Sequence, residues 1–210
     1  MSINHGQEFE ILSKGDFVML RTRVETDRDQ YKHWQTQGEW RFLDAPWEQS
    51  VTEEKKDKVR VKKQVKAQND TLPKELAMIA TLENKLLGWV SRYGGTDNPL
   101  VWFVGIDICE DDFLNRGYGT EALNLWVDYQ FSNSEYHKLG LDTWSFNPRM
   151  MRVAEKVGFL FEGRQREMQL WQGEWQDLMH FGMLREEWEK APLRENFRNS
   201  SSLSAPLSTK

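Results

Sequence analysis

Apolar and polar positions alternate from Asp16 to Arg23, with Phe17, Met19 and Arg21 on one face and Val18 and Leu20 on the other. This period of two predicts a strand. A helix is expected over Tyr31 to Gln37, where Thr26 or Asp27 can cap it and Tyr31 and Trp34 recur at helical spacing. Trp40 to Trp47 reads as an aromatic loop closed by Pro46. Ser50-Val51-Thr52-Glu53 has the form of a capping box, and Glu53 and Glu54 precede a basic body from Lys55 to Lys66, the polarity a helix dipole favours. Pro73 ends that stretch.

From Glu75 to Leu82 the period returns to two, with Leu76, Met78, Ala80 and Leu82 sharing a face, and Leu86 to Tyr93 repeats it beyond a Glu83-Asn84-Lys85 turn. An antiparallel hairpin is predicted. Leu100 to Cys109 is apolar almost throughout, the pattern of a central strand buried on both faces. Leu114 to Glu121 then runs through two glycines into a helix that carries Ala122, Leu125, Trp126 and Tyr129 on one side. Lys138 to Trp144 predicts a further strand, Asn147-Pro148 a helix entry, and Gly158 its stop. Phe159 to Leu170 and Gln176 to Leu184 form a last pair of strands around the turn Gln172 to Trp175. The organisation expected is an extension over residues 1–15, one α/β domain over 16–190, and a polar tail over 191–210.

Length and composition narrow the class. A chain of 210 residues suits one domain with a proper core, and 39% apolar with 29% charged residues is ordinary for a globular protein. The single cysteine, Cys109, rules out an intramolecular disulfide and a cysteine-based zinc site, so a reducing, cytoplasmic setting is expected. His5, His33, His137 and His180 lack metal-ligand spacing, and no metal is expected. No apolar run approaches the roughly 18 residues that span a bilayer. A formal net charge of −5 argues against a chain-wide nucleic-acid footprint, and the dense lysines from Lys55 to Lys66 are explained by a solvated helix face.

The order strand, Gly-x-Gly, helix has a physical use, because small residues let backbone N–H groups converge at a helix N-terminus and bind phosphate. A plain tight turn is the alternative. A P-loop is excluded by the absence of Gly-x-x-x-x-Gly-Lys-Ser/Thr, and a Rossmann loop would follow the first strand of a parallel sheet rather than a mid-chain hairpin.

The run Arg116-Gly117-Tyr118-Gly119-Thr120-Glu121-Ala122-Leu123 resembles the acetyl-CoA pyrophosphate loop of GNAT acetyltransferases, in particular the RimJ/RimL-type branch. Asn147-Pro148-Arg149, Glu155 to Phe159, Glu162-Gly163, Arg166-Glu167, Gly173, Asp177 and Glu187-Trp188 fall in that branch's order. The resemblance implies a mostly antiparallel twisted sheet flanked by helices and split at the central strands, with acetyl-CoA in the split. It implies that main chain near Ile108 and Cys109 holds the pantetheine arm, that Leu114, Asn115, Arg116, Gly117, Tyr118, Gly119 and Thr120 hold the diphosphate, and that Asn147 meets the cofactor from the next strand. Leu114 and Asn115 depart from the family's usual Arg or Gln and Gly, and Asn115 must accept whatever dihedrals the loop imposes.

Moving an acetyl group onto an amine needs a neutral amine, a stabilised oxyanion and a protonated leaving thiolate. Asp107 is the candidate base, because a carboxylate inside an apolar run is unfavourable unless it is used or paired. Gly105-Ile106-Asp107 also resembles the strand that carries the base of aminoglycoside N-acetyltransferases; pairing with a basic side chain is the alternative. Glu167 and Asp177 on the terminal hairpin are further carboxylates that could face the acceptor, with a structural use as the alternative for each. The family's acid, a tyrosine, is matched by Ala154, which leaves Ser145 or water. The acceptor pocket is expected between the region of Trp34, Trp40 and Trp47 and the hairpin around Trp171 and Trp175, where Glu25, Asp27, Asp29, Glu39, Asp44 and Glu48 could attract a cation. The function implied is N-acetylation of a peptide N-terminus or small amine by direct attack in a ternary complex, with a homodimer among the assemblies open to the chain. The alternatives are aminoglycoside modification and a coenzyme-A-binding module without turnover.

Overall fold

The computed structural model describes residues 8–47, 76–95 and 97–191. The capping box at Ser50 and the basic body to Lys66 lie outside the described residues, as does all of the tail beyond Ala191. An eight-stranded sheet dominates. Its strands are β1 (Ile11–Lys14), β2 (Val18–Arg21), β3 (Leu76–Thr81), β4 (Leu86–Gly94), β5 (Val101–Ile108), β6 (Lys138–Trp144), β7 (Leu160–Trp171) and β8 (Glu174–Leu184). They lie in the order β1-β2-β3-β4-β5-β6-β8-β7, and every neighbouring pair is antiparallel except β5 with β6. Four helices, α1 (Arg28–Trp34), α2 (Tyr118–Ser132), α3 (Pro148–Val157) and α4 (Arg185–Lys190), complete the described structure. The mixed, mostly antiparallel α/β architecture expected from the sequence is the one observed.

The sheet begins earlier than the hydropathy pattern indicates, since β1 lies within the stretch read as an extension. Four residues, Ile-Leu-Ser-Lys, carry too little alternation to signal a strand. The first helix also starts earlier, at Arg28, because Glu25–Asp27 already forms a 3₁₀ turn. Asp27 does not cap it by side chain. Instead its carboxylate accepts from both terminal nitrogens of Arg21 at 2.8 Å and from the Val24 amide at 2.9 Å. Burial pushes this carboxyl upward, but the hydrogen bonds from Arg21 and Val24 and the charges of Arg21 and Arg23 outweigh it and hold the group below its ordinary value.

Alternation along the inner strands divides the core. Val18, Leu20, Ala77, Ile79, Val90 and Val104 face α2 and α3 with Ala122, Leu123, Trp126 and Phe131, whereas Met78, Trp89 and Cys109 face Trp34 on the other side. Trp126 is fully buried. A Trp that buries 150–250 Å² contributes roughly 4–6 kcal/mol, so the apolar stripe of α2 suffices to dock it on the sheet. Glu121 orients that docking, because its carboxylate accepts the amides of Asp16, Phe17 and Val18 in the turn between β1 and β2. α4 adds buried Trp188, whose indole packs on Phe131 at 5.2 Å and donates to Asp128. No helix among the described residues is long and apolar enough to cross a membrane.

Candidate active site

β5 pairs with β4 from Trp102 to Ile108, but with β6 only over Val101–Phe103. Beyond Phe103 the parallel strands separate, so the expected central strand has one open side. Only Val104 in β5 is fully buried, which corrects the expectation of a strand covered on both faces. Backbone groups alternate along a strand. Leu100 carbonyl accepts from His137 and Lys138 on the β6 side, and Cys109 amide donates to Leu87 on the β4 side at 2.7 Å. Ile106 and Ile108 therefore direct their main-chain groups into the opening, while the Cys109 amide is already used.

The glycine loop closes one end of this opening. Asn115 takes φ 58° and Gly117 takes φ 93°, two left-handed residues that bring the chain abruptly into α2. Asn115 thus does accept the imposed dihedral, a conformation Asn tolerates better than branched residues. Gly117 stands at the N-cap of α2 and no side chain caps the helix there. Its first-turn N–H groups are consequently left for a ligand, at the positive end of the dipole. α2 starts beside β5, where an added Cβ at Gly119 would make ordinary contact with Ile108 Cγ1 at 3.4 Å.

A cavity of about 240 Å³ occupies the opening. Of the residues expected at the cofactor, Ile108, Leu114, Asn115, Gly117, Gly119, Thr120 and Asn147 line it. Cys109 is buried beneath it, Arg116 is exposed and donates to the Asp112 carbonyl, and the Tyr118 ring packs on Phe17 and Phe113 instead. The Asn147 side chain is occupied: its oxygen caps α3 by accepting from Met150 amide, and its nitrogen donates to Leu43 carbonyl at 3.4 Å. Sequence reasoning did not single out Arg149, Arg152 and Lys156, which also line the cavity. Their spacing of i, i+3 and i+7 along α3 is the signal that could have found them. Arg149 Nη1 is buried without a hydrogen-bond partner, the mark of a guanidinium edge suited to a phosphate.

Asp107 reaches the same cavity from the face opposite α2, together with Trp40, Leu43 and Asp44. Desolvation, followed by the charge of Asp44, pushes its carboxyl up to about 8, against a hydrogen bond from Trp89. No basic side chain forms an ion pair with it among the described residues. Cys109 is no nucleophile, since burial first and then Asp107, Glu110 and Asp111 hold its thiol far above the ordinary range. Ser145 is not among the residues that line the cavity. Its hydroxyl donates to Gln176 and accepts from the Asp177 amide, so it fastens β6 to β8. Asp177 accepts from Glu167 amide and pairs with Arg164. Of the early acids, Asp44 lines the cavity, Glu39 pairs with Arg149, and Glu25 and Asp29 pair within their own turns. Trp47 joins the far hairpin by packing on Trp144 and Trp171, but Trp175 is exposed.

Residues 18–160 match the family model described as an acetyltransferase (GNAT) domain. The chain belongs to the GNAT family. Two Bacillus subtilis relatives of this GNAT chain are an uncharacterized prophage-derived N-acetyltransferase, YokL, 32% identical over 79 residues, and a putative ribosomal N-acetyltransferase, YdaF, 30% identical over 78 residues. These alignments cover 38% and 37% of this chain and 45% and 43% of the relatives, so the chain spans about half the length of the curated relatives it matches. Among solved structures, a Bacillus anthracis GNAT acetyltransferase superposes with TM-score 0.65 at 19% identity, covering 85% of this chain and 99% of the other. The Vibrio cholerae spermidine N-acetyltransferase in complex with CoA and spermine gives 0.64 at 18% identity over 82% and 98% of the two chains. RimL, a ribosomal L7/L12 α-N-protein acetyltransferase in complex with coenzyme A, gives 0.62 at 16% identity over 83% and 98%. At these identities the likeness is one of GNAT fold.

Proposed function

We propose that this chain transfers an acetyl group from acetyl-CoA to a primary amine, a peptide N-terminus or small amine, by direct attack in a ternary complex. One observation carries the reading: a single cavity joins the uncapped N-terminus of α2 to the half-buried carboxylate Asp107 through the opening between β5 and β6. When bound, acetyl-CoA supplies an acyl thioester. The amides from Asn115 to Thr120 bind its diphosphate, the Arg149 edge takes a phosphate oxygen, and Ile106 and Ile108 main chain aligns the pantetheine arm as a strand-like ligand. The inert Cys109 thiol favours direct attack over an acyl-enzyme.

Asp107 takes the proton from the incoming ammonium. A base near 8 is well matched to a peptide α-amine near 7.7, whereas a lysine-like amine near 10.4 is neutral only about once in a thousand molecules at pH 7.4. Trp40 and Asp44 line the acceptor side and favour a cationic molecule. A free thiol of pKa about 8.5 leaves as thiolate without a dedicated acid, so solvent can protonate it. The names of the relatives fit both peptide and polyamine acceptors. Aminoglycoside modification is the second reading, favoured by the placement of Asp107 in Gly105-Ile106-Asp107 on the cavity wall. Thiol release from acetyl-CoA, measured with a panel of peptide N-termini, polyamines and aminoglycosides, tests the assignment. Release with a peptide or small amine is expected; aminoglycoside preference would support the second reading, and CoA binding with no release for any amine would leave a binding module.

A further inference from the structure

Trp40, Leu43 and Asp44 of the segment from Gly38 to Asp44 line the cavity, and residues outside the segment hold it in place. Glu39 amide donates to Asp111 Oδ1 at 2.9 Å, and Leu43 carbonyl accepts from Asn147. Gly38, at φ 97°, sits so close that an added Cβ would lie 3.0 Å from Cys109 carbonyl oxygen. The one ion pair in this set joins Glu39 Oε1 to Arg149 Nη2 at 2.7 Å. The Glu39 side chain is 46% exposed and that of Arg149 32%, so water screens the pair and it alone holds the segment weakly. The other terminal nitrogen of the same guanidinium is buried and unpartnered on a residue of the cavity wall.

We infer that Arg149 is a positioning residue that couples the two halves of the site: an anionic group of coenzyme A taken by Nη1 fixes the guanidinium, and Nη2 then holds Glu39 and orders the Gly38–Asp44 wall. The proposal rests on the cofactor reading above. A guanidinium has separate donor edges for two acceptors, so the phosphate does not displace Glu39. Immobilising a long, mobile side chain is unfavourable, and once one partner has fixed it the second contact forms without that loss. Because Trp40 and Asp44 belong to the ordered wall, the acceptor surface is complete in the cofactor-bound chain. Coupling is reciprocal, so an ordered wall tightens coenzyme A by the same factor.

Amide hydrogen exchange from Trp40 to Asp44, with and without coenzyme A, reads this coupling without any acceptor. Wild type should slow by about fivefold or more on adding coenzyme A, the lower end of usual coupling. Glu39→Gln should show no slowing and, because the coupling is reciprocal, should bind coenzyme A more weakly than wild type by about the same factor. Arg149→Lys, which keeps the charge but lacks the second donor edge, should also lose the slowing. Equal slowing in wild type and Glu39→Gln, or unchanged or faster exchange in cofactor-bound wild type, would overturn the coupling. Calorimetry on the same samples separates the readings: no heat with wild type removes the cofactor assignment and the coupling together, whereas binding without slowing removes the coupling alone.

Discussion

On the α2 side the cavity is lined by the turn through Asn115 and Gly117 and by the open edge of β5, with Arg149, Arg152 and Lys156 beside them. On the Trp40–Asp44 side the lining is made of side chains, held by Arg149, Asn147 and Asp111 from other elements. A main-chain surface depends on where the backbone turns, so few positions matter and each matters through its dihedral. A side-chain surface depends on charge and burial, so it can be retuned by single substitutions.

The contrast is broken most severely at Asp107. Asp107→Asn should lower kcat/KM at neutral pH by roughly 10²–10⁴-fold, the usual contribution of a base, with coenzyme A affinity unchanged. In wild type the rate should rise with pH through about 8 as the carboxyl ionises, and the variant should lose that limb. Stability carries the opposite sign. A carboxyl whose folded value is raised binds its proton more tightly when folded, so stability falls from the unfolded value near 3.9 up to about 8. The thermal midpoint of Asp107→Asn should therefore gain on wild type between pH 5 and 8.

Asp27→Ala strands the buried guanidinium of Arg21 and should destabilise the fold by about 3–5 kcal/mol in urea unfolding. Because Asp27 is held below its ordinary value, its contribution is present above about pH 4 and is lost as pH falls further. On the main-chain side, Gly117→Val forces a branched residue into φ 93°, and the strain of about 1–2 kcal/mol should weaken coenzyme A about tenfold by calorimetry. Ser145→Ala sharpens the comparison with the smallest effect: the loss of its hydrogen bonds costs about 1 kcal/mol of stability, while kcat stays near wild type. A hundredfold fall in kcat would mark Ser145 as an acid.

The main-chain half was legible in the sequence because it is local. Gly117, Gly119 and the apolar stripe from Ala122 to Trp126 mark a turn into a helix within ten residues, and β6 and the Asn147-Pro148 helix start fall where the pattern puts them. The resemblance to GNAT enzymes supplied the split, which no periodicity encodes, because the number of residues over which β5 and β6 pair is a property of two distant segments. The same distance hid the Glu39–Arg149 pair, 110 residues apart, and the use of Ser145 by Gln176 and Asp177. Asp107 was visible as an odd charge in an apolar run, but its elevation, by desolvation first and then by Asp44, depends on segments distant in sequence.

The account rests on main-chain amides at the start of α2 binding a diphosphate. Parallel calorimetric titrations with coenzyme A and with pantetheine, which lacks that group, test it most directly. Saturable binding of coenzyme A at least about tenfold tighter than pantetheine, a difference of about 1.4 kcal/mol, is the expected result. Equal affinity for the two, or no binding of coenzyme A by folded protein, would contradict it.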